Sequence, residues 1–477
     1  MPGLTAVAAG LAMSLAGSAT GAVAGSGVTE RVSISTTGTQ SDQISGRIGR
    51  PALSFDGRYV AFDSLADNLV PGDTNGVDDV FVRDRTAGTT TRVSVSSAGV
   101  QGNGASGWAS ISADGRYVAF QSDATNLVPG DINGATDVFV HDMLTGKTTR
   151  VSLSSAGAQA NGPSFAPAIS ADGSAVAFAS NATNLVLGGR MLSSEVYVHS
   201  LVTGKTTLAS VTSSGVPGNR FSAGPAISGD GSVVAFTSFA SNLVPGITND
   251  ADNVFVHNLK TGHTINVSVS SPGVQGNGNS YTPAISGNGN VVAFSSEATN
   301  LVPGDTQPLT VTDVFVHTVS TGITQRISVS TTGGQANGAS AGPDVTVRGG
   351  ADFGPTISAD GTLVAFDSIA SDLVPGDTNE CTLTGVAQFT LYPGECPDVF
   401  VRDLVTGVTR RVNVSSTGDQ SNDTSEDPAI SGDGSTVAFF TLASNLGPGD
   451  TNTCSINDQV NFTDHPGQCP DIYVHSG

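Results

Sequence analysis

Short polar loops with regularly spaced side-chain oxygens are the clearest candidates for chemistry in this chain of 477 residues. The oxygens belong to Asp73, Asn75 and Asp79 in one loop and to Asp131, Asn133 and Asp137 in the next. Oxygen ligands at the first, third and seventh positions of a Gly-containing loop could wrap a hard cation, so the pattern predicts weak calcium sites. Because the glycine is at the fourth position and Asp-x-Asn-Gly is also an ordinary turn, a purely structural interpretation stays open.

A second polar theme, Gln-x-Asn, recurs in the loops that lead from one repeat to the next. Its copies are Gln101 and Asn103, Gln159 and Asn161, Gln275 and Asn277, and Gln335 and Asn337. Gathered on one face of a ring, these side chains would form a polar recognition surface for a protein or glycan. Asn-Gly is also a good positive-φ turn and Gln can satisfy loop backbone, so the turn interpretation is kept beside it.

Four cysteines form two matched pairs, each 15 residues apart: Cys381 with Cys396, and Cys454 with Cys469. Each pair brackets an insertion in one of the last two repeats. Two local disulfides explain this placement better than a zinc site, which would need the tighter Cys-x-x-Cys spacing. Disulfides would place the protein in an oxidising compartment.

The histidines do not form a catalytic pattern. Five of the seven occupy one equivalent position in the repeats, where Arg83 and Arg402 stand in two other units; they are His141, His199, His257, His317 and His475. We interpret this position as a hydrogen-bonding or ion-pairing site at a strand end. Since no nucleophile elbow, His-Glu-x-x-His segment or phosphate loop is recognisable, we assign no catalytic residue.

The loops belong to a repeat that is written seven times along the chain. Its most regular residue is a serine found at Ser54, Ser112, Ser170, Ser228, Ser286, Ser358 and Ser431, with spacings of 58 residues four times and then 72 and 73. A fixed period of this size, built from short apolar runs and turn residues, is typical of a propeller or solenoid.

Each repeat contains four strand signals. In the second unit they are Trp108 to Ser112, Arg116 to Ser122, Asp137 to His141 and Arg150 to Ser154, with an Asp-Gly hairpin turn between the first two. The outer-strand phrase also occurs before the first hairpin, at Arg31 to Ser35. We therefore predict an all-β fold: a single seven-bladed β-propeller of four-stranded blades, closed by the N-terminal strand completing the C-terminal blade.

The phrase Ile-Ser-x-Asp-Gly-x-x-Val-Ala-Phe, followed by Asp-Val-Phe-Val-x-Asp, resembles the TolB-like (WD-like) β-propeller repeats of exported bacterial proteins. The resemblance covers roughly residues 29 to 477. It implies a propeller scaffold, often used for protein interaction, and names no ligand. The separate N-terminal domain of TolB has no counterpart here.

Composition bounds the compartment and the partners. With 19 basic and 41 acidic residues the formal net charge is −22, so nucleic acid is not an expected partner. The small, apolar segment from Leu4 to Ala24 indicates a signal peptide over residues 1–24, before a propeller over residues 25–477. A start codon placed too far downstream and a disordered Ala/Gly tail are the alternatives. No later stretch is long and apolar enough to span a membrane.

The sequence thus predicts a monomer that is secreted or lies in the periplasm or cell envelope of a bacterium. Its expected function is that of a non-enzymatic scaffold that binds a protein or glycan, with calcium as the one cofactor to test. The alternative is an extracellular hydrolase or lyase acting on polysaccharide or peptide, with carboxylates near the propeller channel.

Overall fold

The computed structural model describes residues 27–187, 194–341, 354–379, 396–452 and 469–477. These residues form seven four-stranded antiparallel sheets, the blades of a propeller, and contain no helix that could span a membrane. Blade 1 is β2 (Ala52–Leu53), β3 (Tyr59–Ser64), β4 (Asp79–Asp84) and β5 (Thr89–Arg92); blade 2 is β6 (Ser106–Ile111), β7 (Tyr117–Ser122), β8 (Asp137–Asp142) and β9 (Lys147–Arg150); blade 3 is β10 (Ser164–Ile169), β11 (Ala175–Ser180), β12 (Glu195–Ser200) and β13 (Thr206–Leu208); blade 4 is β14 (Ser222–Ile227), β15 (Val233–Ser238), β16 (Asn253–Asn258) and β17 (Thr264–Asn266). Blade 5 is β18 (Ser280–Ile285), β19 (Val291–Ser296), β20 (Asp313–Thr318) and β21 (Ile323–Arg326); blade 6 is β22 (Thr356–Ile357), β23 (Leu363–Ser368), β24 (Asp398–Asp403) and β25 (Thr409–Arg411); blade 7 is β26 (Ser425–Ile430), β27 (Thr436–Thr441), β28 (Asp471–Ser476) and the N-terminal β1 (Val28–Arg31).

The core lies between blades because the second and third strands of each blade are apolar on both faces. In blade 2, Phe120 of β7 pairs with Phe139 of β8 and the two rings stack with centroids 5.9 Å apart. Both rings are fully buried, in a cluster that includes Val80 and Val93 of blade 1. The same kind of cluster recurs around the ring, so each blade is stabilised by its neighbour.

The outer strand begins earlier than the sequence indicated. The predicted bounds of this strand, Arg150 to Ser154, are wrong, since β9 spans Lys147–Arg150. The turn at Gly146 places Lys147 directly opposite Asp142, so pairing starts at once. Val151 then leaves the sheet for the core, where it is fully buried.

The N-terminal strand completes the C-terminal blade, as predicted. β1 pairs antiparallel with β28 from Val28 opposite Ser476 to Arg31 opposite Tyr473. As in blade 2, the observed strand ends where the predicted one begins: β1 and the predicted segment Arg31 to Ser35 share only Arg31.

A second ring closure runs through the hairpin turns between the first and second strands. One backbone hydrogen bond joins each turn to the next: Phe55 N to Ala113 O, Ala113 N to Ala171 O, Asp172 N to Gly229 O, Gly229 N to Gly287 O, Gly287 N to Ala359 O, Ala359 N to Gly432 O, and Asp433 N to Phe55 O. We call this ring of bonds the collar. Small residues allow the approach: a Cβ atom on Gly287 would lie 3.0 Å from the Ala359 carbonyl oxygen. The collar narrows one end of the central channel.

Candidate functional site

The carboxylates of the first Asp-x-Asn loop face an arginine of the outer strand. Nη1 of Arg92 lies 3.2 Å from Oδ2 of Asp73 and 3.4 Å from Oδ2 of Asp79. Both carboxylates are almost fully buried, and burial raises the pKa of Asp79, while a hydrogen bond from Ser94 acts in the opposite direction. In the second loop the same contacts join Arg150 to Asp131 and Asp137. The arginine of each outer strand thus lies against the same carboxylates that the sequence predicts to bind calcium.

The amide side chains complete the same network. Nε2 of Gln101 donates to Oδ1 of Asp73 at 2.6 Å and to Oδ2 of Asp79 at 3.2 Å. Nδ2 of Asn75 donates to Asp79 at 3.1 Å and to the Gly102 carbonyl at 3.0 Å. Gln159 and Asn133 repeat these bonds in blade 2. We call this Asp–Asn–Asp–Arg–Gln network the loop clip, because it ties the loop before the third strand to the outer strand and to the following linker.

The asparagine of each Gln-x-Asn loop reaches the next blade. Nδ2 of Asn103 donates to Oγ1 of Thr125 at 3.0 Å, and its Oδ1 accepts from the Thr125 amide at 2.8 Å. Asn161, Asn277 and Asn337 make equivalent bonds to Thr183, Thr299 and Ser371. The structure therefore brings the two predicted sites together in one network, in which Gln lies in the clip and Asn joins neighbouring blades.

The loop clip varies between blades. Blade 4 has Ile247 and Asn253 in place of the two aspartates and Asn266 in place of the arginine, so all its charges are replaced together. Nδ2 of Asn253 donates to Oδ1 of Asn249 at 3.0 Å instead. Blade 3 keeps an acidic residue, Glu195, although Leu208 replaces the arginine. Within the described ranges, no group of three or more His, Cys, Asp or Glu side chains is placed to hold a metal ion. Calcium binding by the clips and ligand recognition by the Gln-x-Asn loops stay predictions.

Two of the four cysteines, Cys381 and Cys454, lie outside the described residues. Cys396 and Cys469 are buried next to β24 and β28. The two predicted disulfides therefore stay predictions, as does the signal peptide over residues 1–24.

The histidine row has the strand-end role that its alternation with arginine indicated. Nδ1 of His141 lies 2.9 Å from Oγ1 of Thr148, whose hydroxyl donates to the Val95 carbonyl of the preceding blade. Burial lowers the pKa of His141, as it does for the other four histidines of the row. Arg83 makes the equivalent bond to Thr90 at 3.1 Å. These side chains hold neighbouring blades together.

A central channel with a cavity of about 300 Å³ is enclosed by the innermost strands. Its walls are built from the last four residues of these strands, such as Trp108 to Ile111 in blade 2 and Thr282 to Ile285 in blade 5. One end is narrowed by the collar. We call the other end, where the innermost strands begin, the channel mouth. The loop clips lie at the same end, since Ser106 N bonds to the Asp78 carbonyl just before the third strand.

A bulge in the innermost strand lies next to the channel mouth, and its second residue lines the channel, as Trp108 and Thr282 do. The strand register shifts there in five blades, for example between Gly107 and Ser110. Four non-glycine residues in these bulges have positive φ: Trp108 (52°), Ala166 (51°), Thr282 (51°) and Asp427 (57°). Such a backbone costs an L-residue roughly 1–3 kcal/mol, and outliers of this kind concentrate at functional sites.

These two positions break an otherwise regular repeat. The pairs are Gly49-Arg50, Gly107-Trp108, Phe165-Ala166, Ala223-Gly224, Tyr281-Thr282 and Glu426-Asp427, and blade 6 contributes Gly354. These positions were not predicted from the sequence, because the predictions were based on residues that recur in every repeat. The available signal was the opposite one: two variable residues between a constant Ser and a nearly constant Pro-Ala-Ile, including the single Trp of the chain.

The two charged pairs meet where blade 7 adjoins blade 1. Asp427 is buried, and burial lowers the pKa of the Arg50 guanidinium while the nearby Asp427 raises it. Glu426 is also fully buried. The channel mouth thus combines acidic and basic side chains of blades 7 and 1 with aromatic or hydroxyl side chains of blades 2, 3 and 5.

No family model matches the sequence, and no curated protein matches it. Among solved structures, an oligogalacturonate lyase in complex with manganese aligns over 94% of this chain and 92% of its own, with a TM-score of 0.52 and 12% identity. The oligogalacturonate lyase of Vibrio parahaemolyticus aligns over 94% and 97%, with a TM-score of 0.51 and 13% identity. The likeness is one of fold. 

TolB from Acinetobacter baumannii aligns over 58% of this chain, with a TM-score of 0.35 and 19% identity. The aligned part spans about half, 53%, of that TolB chain. The seven four-stranded blades confirm the propeller that the repeat predicted, and the resemblance to TolB-like repeats is confirmed at the level of fold.

Proposed function

We propose that the protein is an exported, non-enzymatic scaffold that binds a protein or glycan ligand at the channel mouth. The observation that carries this proposal is the set of side chains kept on strained backbone at Trp108, Ala166, Thr282 and Asp427. Blades 4 and 6 have Gly224 and Gly354 at the same position, so the fold accepts glycine there. Retaining larger residues at an energetic cost is expected where the side chain meets a ligand.

The form of the channel supports the same function. A cavity of about 300 Å³ is at the lower limit of small-ligand sites, so a larger ligand would also contact the rim. The rim offers aromatic, hydroxyl and charged groups on a rigid frame, which is how propellers and other scaffolds present variable recognition residues.

The alternative is an extracellular hydrolase or lyase acting on polysaccharide or peptide. It is favoured by two carboxylates, Glu426 and Asp427, buried beside the channel. The two similar folds with TM-scores above 0.5 are named as oligogalacturonate lyases, which supports polysaccharide as a substrate class to test. The manganese named for one of them has no counterpart in a His, Cys, Asp or Glu group of the described residues here.

The test is affinity capture from the envelope and medium of the producing cell with the mature protein, alongside a glycan array. Trp108→Ala and Thr282→Ala should each weaken capture at least tenfold. Leu144→Ser is the matched control, because Leu144 is 74% exposed on a turn at the opposite, collar end of the blades. Equal capture by all three variants would contradict a site at the channel mouth. Cleavage of an array glycan or peptide that is lost in Asp427→Asn would favour the enzyme.

A further inference from the structure

A cluster of polar side chains from blades 4 and 5 lies beside the channel mouth. The Tyr281 hydroxyl donates to Oε1 of Glu297 at 3.0 Å, and Nδ2 of Asn279 donates to Oε2 of Glu297 at 2.9 Å. The Asp252 amide in turn donates to Oδ1 of Asn279 at 3.1 Å. All four residues are half-buried, so the cluster is ordered by its own bonds and still reachable from solvent.

These residues stand at positions that vary from blade to blade. The position of Asp252 holds Asp78 in blade 1 and Thr136 in blade 2, and the position of Glu297 holds Asp123 in blade 2 and Phe239 in blade 4. Tyr281 is the first residue of the variable pair of blade 5, next to the strained Thr282. The cluster is therefore a local feature added to the blades and is not needed to build them.

The two carboxylates lack the cation that every complete loop clip contains. Neither Asp252 nor Glu297 forms an ion pair with a residue in the described part of the chain, and Oδ1 of Asp252 is buried there without a hydrogen-bond partner. Burial, followed by repulsion from Glu297, raises the pKa of Asp252 to about 6. Two carboxylates that share no cation and are only half-buried favour a ligand that brings hydrogen-bond donors.

An ionised carboxylate only accepts hydrogen bonds, so the complementary ligand is rich in hydroxyl donors. The ring of Tyr281 adds a flat apolar surface, and aromatic surfaces with a few fixed polar groups are typical of small-ligand sites. An acidic sugar would bring a further negative charge next to Asp252 and Glu297 and would be repelled.

We infer that the channel mouth binds an uncharged glycan through Tyr281, Glu297, Asp252 and Asn279, an inference that rests on the binding function proposed above. Sugar hydroxyls donate to the two carboxylates, and the face of one sugar ring packs on Tyr281. The strained residue Thr282 lies at the inner end of this subsite, where the glycan would enter the channel.

The test is titration calorimetry of the full mature chain with three sets of oligosaccharides. The neutral set contains glucose, mannose, galactose and N-acetylglucosamine oligomers; oligogalacturonate is the acidic probe and oligomers of glucosamine are the basic probe. At least one neutral oligomer should bind, and Tyr281→Ala should weaken it tenfold or more. Tyr117→Ala is the matched control, because Tyr117 packs under Arg116 at the opposite end of a blade.

A second variant separates recognition from folding. Glu297→Gln keeps the size of the side chain and an acceptor for Tyr281, so it should fold as the parent does while losing about tenfold in affinity for the neutral oligomer. Stronger binding of the acidic or the basic probe than of every neutral oligomer would overturn the inference. A protein ligand that is sensitive to Trp108→Ala, with no glycan bound, would overturn it and leave the proposed function intact. No ligand of either kind at the mouth would overturn both.

Discussion

One backbone angle separates the channel-mouth residues from the rest of the innermost strands. Trp108, Ala166, Thr282 and Asp427 share a positive φ that glycine adopts freely, and Gly224 occupies the same conformation in blade 4 at φ 57°. Since the conformation belongs to the position and not to the residue, the side chain can vary from blade to blade without changing the frame. At the residue scale the propeller thus combines a constant backbone conformation with side chains that vary from blade to blade.

Ala166→Gly measures the strain directly. Glycine relieves the left-handed strain of an L-residue but adds unfolded-state entropy, so the free energy of unfolding should stay within about 0.5 kcal/mol of the parent. Ala168→Gly in the same strand has no positive φ to relieve and should lose about 0.5–1 kcal/mol. Urea unfolding of both variants gives the comparison. Equal destabilisation would mean that position 166 carries no strain.

The histidine row predicts a site-specific response to pH. Burial lowers the pKa of His141, His199, His257, His317 and His475, the last to about 4. Below the ordinary value of about 6.5 the unfolded chain binds these protons and the folded chain does not, so this contribution to stability is complete above pH 6.5 and is lost as the pH falls toward 4.

NMR titrations of the ring signals of these five histidines should therefore have midpoints below the ordinary value of about 6.5. His317→Gln should remove part of the acid sensitivity of urea unfolding. Asp398 and Asp471 act in the opposite direction, because burial raises their pKa to about 7 and about 6, so the NMR titration is the decisive measurement. Titration midpoints at or above about 6.5 in the row would contradict the prediction.

At the scale of the elements, the loop clip explains which sequence predictions held. The seven blades and their closure followed from the Ser54 to Ser431 repeat because hairpin turns and apolar runs are local signals. The partners of Asp79 are not local: Arg92 and Gln101 follow it by 13 and 22 residues and belong to other elements. An acidic loop read alone resembles a cation site, and only the fold shows the arginine beside it. The channel-mouth residues were not predicted for another reason: their residue types do not recur from repeat to repeat.

The predicted calcium ions would have to compete with Arg92 and Arg150 for the carboxylates of blades 1 and 2. Millimolar calcium should raise the melting temperature of the parent only slightly, because an ion must first displace the guanidinium. Arg92→Gln/Arg150→Gln leaves buried carboxylates without a cation, so the double variant should be less stable and should gain more from calcium than the parent does. Magnesium should act less than calcium in both, because it demands a strict octahedral shell.

Thermal melts with calcium, magnesium or a chelator make this comparison. Asp73→Ala/Asp131→Ala removes one carboxylate from each clip and serves as the control that should not respond. The calcium sites are wrong if parent and arginine variant melt identically with and without the ion, or if the aspartate variant responds as strongly as the arginine variant.

At the scale of the whole molecule, the ring is closed twice between blade 7 and blade 1. The N-terminal strand closes the outer side by pairing with β28, and the collar closes the inner side through the Asp433 N to Phe55 O bond. A loop clip strengthens the outer closure, since Arg31 lies 3.1 Å from both Asp450 and Asp471. Gln40 donates to the same two carboxylates at 2.8 and 2.9 Å. Arg31, the last residue of β1, and Gln40, which follows the strand, thus join chain segments more than 400 positions apart in sequence.

The outer closure makes the clip of blade 7 the most consequential of the set. Deleting residues 28–36 should expose the edge of β28, leave Asp471 buried without its cation, and lower the melting temperature by several degrees. Removing one partner of a buried ion pair costs about 3–5 kcal/mol, so Arg31→Ala alone should reproduce much of the loss. Arg92→Ala is the matched control, because it breaks an equivalent clip in a blade whose four strands are continuous in sequence.

Hydrogen exchange shows whether the ion pairs of Arg31 hold the N-terminal strand on β28, in contrast to ion pairs within a blade that is continuous in sequence. In Arg31→Ala, amides of β28 that bond to β1 should exchange much faster than in the parent, because β1 can detach as a unit. In Arg92→Ala the corresponding amides of β4 should stay protected, since β5 is held by a short turn. The collar should remain protected in both variants, because its seven bonds do not depend on β1. If the two variants show equal exchange in β28 and β4, or if the deletion melts like the parent, the N-terminal strand is not what holds the outer side of the ring closed.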